Sequence, residues 1–111
     1  MGPNELGLVA KHVMKLLVER RFDELEKATG GKQLSADDME GAVDDIGAPL
    51  VMPSEPSWKD LRVAAVRNWP GAFSVQLNLW TSRGRTPHTV ELTIHEHNGK
   101  PVIEVDNINV G

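Results

Sequence analysis

From position 72 to 110 the chain alternates apolar and polar residues in three successive runs. Val75, Leu77 and Leu79 alternate with Gln76, Asn78 and Trp80. Val90, Leu92 and Ile94 alternate with Glu91, Thr93 and His95, and Val102, Ile103 and Val105 sit among Glu104 and Asp106. A period of two with one apolar side predicts antiparallel strands buried on one face and wetted on the other. Asn98-Gly99 joins the last two runs as a two-residue hairpin. Residues 81–88, which hold Arg83, Gly84, Arg85 and Pro87, predict a longer polar hairpin tip. Trp69-Pro70-Gly71 fits a type II turn, and Leu61, Val63 and Ala65 predict a first strand ahead of it.

The N-terminal half follows a helical period. Leu6, Val9, Val13, Leu16 and Leu17 recur at helix spacing with Lys11, Lys15 and Glu19 between them. Asn4 is the expected N-cap, and the helix is expected to run to about Arg20. Phe22 to Ala28 predicts a short second helix with Phe22 and Leu25 inward, ended by Gly30-Gly31. Ser35 opens a third helix as a capping box with Asp38; Met39, Val43 and Ile46 form its apolar stripe, and Gly47 closes it. Pro49, Pro53 and Pro56 then predict a loop crossing an edge of the fold. The expected architecture is a single α+β domain over residues 1–111. About three N-terminal helices pack on one face of a curved four-stranded antiparallel sheet.

This order resembles the NTF2-like (SnoaL-like) superfamily. The likeness is carried by the first helix, the short Phe22-Asp23-Glu24-Leu25 helix, the third helix and the C-terminal meander. It implies a cone closed by the helices, a cavity between helices and sheet, and homodimers through the sheet face. The superfamily's enzymes use an acid–base pair in that cavity, often Asp with Tyr or His. This chain has no Tyr. It also resembles small bacterial domains with Gly-Gly after the second helix and an aliphatic-Trp-Thr strand end, here Leu79-Trp80-Thr81. Some small bacterial α+β proteins of this size act as immunity proteins against secreted toxins, an analogy of class alone.

Composition narrows the partners. The 111 residues contain no cysteine, which excludes disulfides and thiolate metal sites and fits a cytoplasmic location. No apolar stretch approaches the roughly 20 residues of a membrane helix. No basic region followed by an apolar block marks a signal peptide at the N-terminus, and Met1-Gly2-Pro3 is left out of functional reasoning. The net charge is −4, and residues 35–57 hold Asp37, Asp38, Glu40, Asp44, Asp45 and Glu55 without Lys or Arg. An acidic domain without a basic stripe is a poor nucleic-acid binder, and a cationic partner suits it better. The plain alternative is a solvated helix face that aids solubility.

Candidate chemistry is sparse. His95 and His97 share a strand face with carboxylates, a pattern open to metal binding or to ordinary cross-strand pairing. His12, beside Val13, is the best inward candidate for a general base in a pocket. Arg83 and Arg85 flank Gly84 and could grip an acidic group. Trp80 falls on the polar strand face, either as an interface anchor or packed under the proline-rich segment. Trp69 is expected to fold back over the sheet and Trp58 to lid one end of the core.

No motif names a reaction, so no catalytic residue, cofactor or metal is expected. The expected function is non-enzymatic protein binding, of the immunity or inhibitor type. Asp37, Asp38, Glu40, Asp44, Asp45, Trp80, Arg83 and Arg85 would form the contacts with a partner such as a cationic toxin domain. A homodimer through the sheet face could coexist with this. The alternative is a small-molecule or isomerase- or hydrolase-like protein with an internal pocket near His12.

Overall fold

A computed structural model describes residues 2–110. Helix α1 spans Pro3–Val18 and buries Leu6, Ala10, Val13, Met14, Leu16 and Leu17 along one stripe. Its cap is Gly2 and not Asn4, because Pro3 occupies the first helical position with its φ already set for the helix. The helix stops short of Arg20, whose φ of 58° turns the chain into the left-handed region. Helix α2, Phe22–Thr29, buries Phe22 and Leu25 and ends on Gly30 at φ 77°. Helix α3, Ala36–Asp44, starts with the expected capping box: Ser35 Oγ accepts from the Asp38 amide while Asp38 accepts from the Ser35 amide.

The chain then meets the sheet edge twice. Strand β1, Leu50–Val51, pairs with Trp80 and Thr81 of β3, and β2, Arg62–Ala65, pairs with residues 73–76 of the same strand. Pro53 and Pro56 have no amide proton to give a ladder, so the edge is interrupted between them by a 3-10 turn, Glu55–Asp60. Strands β3 (Phe73–Thr81), β4 (Gly84–His97) and β5 (Lys100–Val110) form the meander. The sheet therefore has five strands, one more than the periodicity predicts, with β5 at one edge and β1 and β2 sharing the other. It is antiparallel and open, with the helices all N-terminal to its long strands.

Two turns match their sequence signals. Ala72 N–H bonds Trp69 C=O at 3.2 Å with Gly71 at φ 85°, as a type II turn requires. Asn98 and Gly99 have φ of 53° and 76°, the pair of positive values that a type I′ hairpin needs. The polar tip is shorter than expected, because Thr81 pairs with Gly84 and only Ser82 and Arg83 remain in the turn. Register slips between Asn78 and Trp80, so Thr86–His88 bulge out of the β3–β4 ladder and Pro87 fits in a strand without breaking a bond. Thr86 Oγ1 donates to Leu79 C=O at 2.7 Å, and Asn78 Nδ2 donates to Thr86 C=O at 2.9 Å, closing the bulge.

One core lies between the layers. Val75, Leu77, Leu79, Val90, Leu92, Ile94, Ile103, Val105 and Ile108 meet the buried faces of all three helices. Leu16, Leu17, Met39, Leu77 and Leu92 belong to this same cluster. The other side of the sheet has no helix on it among the described residues, and its side chains are half-buried by one another.

Candidate functional site

The open sheet face is built by alternation. Val75, Leu77 and Leu79 point to the helices, so Gln76, Asn78 and Trp80 point away from them. Register then sets the rows. Arg62 of β2 stands opposite Gln76, and Gln76 opposite Glu91, which pairs with Asn107 of β5. Gln76 Oε1 accepts from Arg62 Nε at 3.2 Å, while Gln76 Nε2 donates to Thr89 Oγ1 and Glu91 Oε1, each at 3.4 Å. The same guanidinium reaches Asn78 Oδ1 at 3.3 Å from both terminal nitrogens. Across the next strand pair, Thr93 Oγ1 donates to Asp106 Oδ2 at 2.6 Å. The face is thus a bonded polar surface with a cation on the β2 side and carboxylates toward β5.

A tryptophan stands at each end of it. Trp69, 40% exposed, folds back so that its ring lies 4.6 Å from that of His95. Trp80 is half-buried and sits across the ladder from Val51 and Arg85. With Pro53, Trp58, Leu61, Asn78 and Arg85 it lines a cavity of about 20 Å³, no larger than a water. One side of Trp80 meets the proline-bearing segment, as one of the two expectations for it has it, and alternation places the residue on the outer face. Trp58 is half-buried against the core beneath the Lys11 ammonium, which lies 5.4 Å from its ring.

The other candidates scatter. His12 lies exposed on the solvent side of α1, so the inward placement expected of it is corrected: the buried stripe passes through Val13 and Leu16 and leaves position 12 outside. The acidic residues of α3 point away from the core and therefore away from the open sheet face, on the opposite layer. Arg20 bonds Glu40 at 3.3 Å and Asp44 at 3.0 Å. Asp38 is bound into the capping box, and both the amide and hydroxyl of Ser35 hold its carboxyl below the ordinary aspartate range. Asp37 and Asp45 are exposed without an ion pair among the described residues.

Arg83 lies in the short hairpin turn and Arg85 just after it at the start of β4, where the tip shares an open cleft with Ile46, Gly47 and Ala48. His95 is engaged by Trp69, His97 is exposed, and no group of three His, Cys, Asp or Glu among the described residues is placed to hold a metal ion. No helix among the described residues is long and apolar enough to cross a membrane.

Alternation marks Gln76, Asn78 and Glu91 as outward, but their link to Arg62 depends on the β2–β3 register. No local signal places Arg62 there.

These features define an α+β domain of two layers, with helices on one face of an open antiparallel sheet and a bonded polar surface on the other. The chain belongs to the family described as Domain of unknown function (DUF7668), whose model matches residues 14–111. No curated protein and no solved structure matches it.

Proposed function

We propose that this domain binds another protein through its open sheet face, and that this contact rather than catalysis is its role. The observation that carries the reading is the uncovered face itself. A polar row from Arg62 through Gln76 to Glu91 is already bonded in place, so little side-chain entropy remains to be lost on docking. Trp69 and Trp80 supply aromatic area at its two ends, and tryptophan and arginine are the residues most enriched where binding energy concentrates. The NTF2-like resemblance agrees with this use, since that superfamily pairs through the same face. The burial of Leu16, Leu17, Met39, Leu77 and Leu92 in one cluster favours a surface role over an internal-pocket one.

A cationic toxin domain is the partner that the acidic helix suggests. It would have to meet α3 on the opposite layer, where Arg20 already neutralises part of the charge. The two versions are therefore separable. Affinity capture from the native host, with the chain as bait, uses two variants: Arg62→Glu with Trp80→Ala, and Asp37→Lys with Asp45→Lys. Loss of a captured protein in the first variant alone supports the sheet face. Loss in the second alone moves the site to α3. Light scattering on the purified chain separates a homodimer from either, and a dimer dissociated by the first variant makes a second copy the partner.

A further inference from the structure

A groove opens between the first turns of α1 and the β2 edge. Val63 and Val75 stand opposite each other on the same face of the sheet, yet Val75 is fully buried and Val63 is 44% exposed. The helix layer therefore stops short of β2, leaving a space of about 640 Å³ walled by Leu6, Trp58, Leu61, Val63 and Phe73. That volume is within the range of about 300–1,000 Å³ typical of small-molecule sites. Leu6 is a core residue, so the floor is continuous with the hydrophobic interior. Leu8, which also lines the groove, is 67% exposed. An apolar surface of this kind, rimmed by charge, marks a place where something binds.

The charge at the rim is of one sign. The charged residues lining the groove are Lys11 and Lys59, and no carboxylate lines it. Lys11 Nζ lies above the Trp58 ring and 3.3 Å from Glu55 Oε2, whose side chain is 84% exposed. Lys59 has no ion pair among the described residues. An apolar trough with an unpaired ammonium at its edge is complementary to a molecule with an apolar body and an anionic head. A second copy is a poor occupant, since a two-fold contact sets the same patch against itself and brings the lysine rims together.

We propose that this groove binds an apolar acid: a single aliphatic chain lying against Leu6, Leu61, Val63 and Phe73, its carboxylate held by Lys59 with Lys11 beside it. The proposal is independent of the sheet-face reading, because the groove and that face lie on opposite sides of β2.

The test is amide NMR on the full chain titrated with decanoate below its micelle concentration, and with decyltrimethylammonium as the cationic probe of equal chain length. Saturable shifts confined to the start of α1, residues 58–63 and Phe73 are expected, with the cation binding at least about tenfold more weakly. Lys11→Met with Lys59→Met should weaken decanoate by about tenfold and bring the two probes level. Val63→Glu, at an exposed edge position, should remove binding while leaving the melting temperature unchanged. Shifts spread over other surfaces, equal affinity for both probes in the unaltered chain, or no saturation by millimolar decanoate would each overturn the proposal. So would a dimer that Val63→Glu dissociates in a chain that takes up no decanoate.

Discussion

The guanidinium of Arg20 holds the carboxylate of Asp44 at 3.0 Å, and it does so from a residue whose backbone is left-handed at φ 58°. The turn between α1 and α2 thus fixes α3 by a side chain presented in an unfavourable conformation. For a residue with a Cβ that conformation costs roughly 1–2 kcal/mol. The ion pair is about half exposed on both partners and contributes less than about 1 kcal/mol. Arg20→Ala and Arg20→Gly both remove the side chain, but only glycine relieves the backbone. The glycine variant is expected to be more stable than the alanine variant by about 1 kcal/mol in urea unfolding. Equal stabilities would mean that the left-handed turn stores no strain.

The sheet face offers a second measurable coupling. Gln76 accepts from Arg62 and donates to Glu91, so the cation and the carboxylate are joined through one amide. A double-mutant cycle between Arg62→Ala and Glu91→Ala should give a coupling of about 0.5 kcal/mol. In a Gln76→Ala background it should fall to nothing measurable. A coupling that survives there would make the link a direct electrostatic one.

Burial separates two leucines, one on strand β4 and one on helix α1. Leu92 is fully buried in the sheet's inner face, and Leu8 is 67% exposed on α1. Leu92→Ala should cost about 2–5 kcal/mol, the range for emptying a packed core position. Leu8→Ala should stay within about 0.5 kcal/mol of the unaltered chain. Comparable losses from both would mean that Leu8 is covered in solution, and that the groove it borders is already filled.

Legibility followed the range of the interactions. Phe22 and Leu25, the Ser35–Asp38 box, the Trp69-Pro70-Gly71 turn and the Asn98-Gly99 turn are specified within a few residues, and each forms as its local chemistry demands. β1 escaped because two residues carry no period; only their pairing with Trp80 and Thr81 makes them a strand. The hairpin tip was overestimated because Pro87 reads as a strand breaker, whereas a bulge stitched by Thr86 accommodates it. His12 was misplaced because it adjoins the apolar stripe of α1, and one residue of helical rotation, 100°, separates the core side from the solvent side. Arg62 and the groove beside Val63 could not be read at all, since both exist only once β2 is registered on β3.

The capping box of α3 carries the pH dependence that can be assigned to a named residue. Asp38 accepts from the Ser35 amide at 3.0 Å, and Ser35 Oγ accepts from the Asp38 amide at 3.1 Å. The bond from the Ser35 amide, with the Ser35 hydroxyl as a smaller contributor, favours the carboxylate, so its folded pKa lies below the ordinary 3.8. A depressed folded value means that the contribution is complete above the unfolded pKa and is lost as pH falls through the folded one. Helix α3 should therefore keep its first turn at neutral pH and lose this support only in acid, below the ordinary aspartate range. The carboxyl carbon shift of Asp38, followed by NMR, should titrate below 3.8 in the unaltered chain. In Ser35→Ala, which should also cost about 1 kcal/mol through the lost cap, the midpoint should rise only part of the way toward 3.8, because the amide of residue 35 remains the larger cause. A midpoint unaffected by that substitution would assign the depression to the backbone amide of residue 35 alone, which alanine retains.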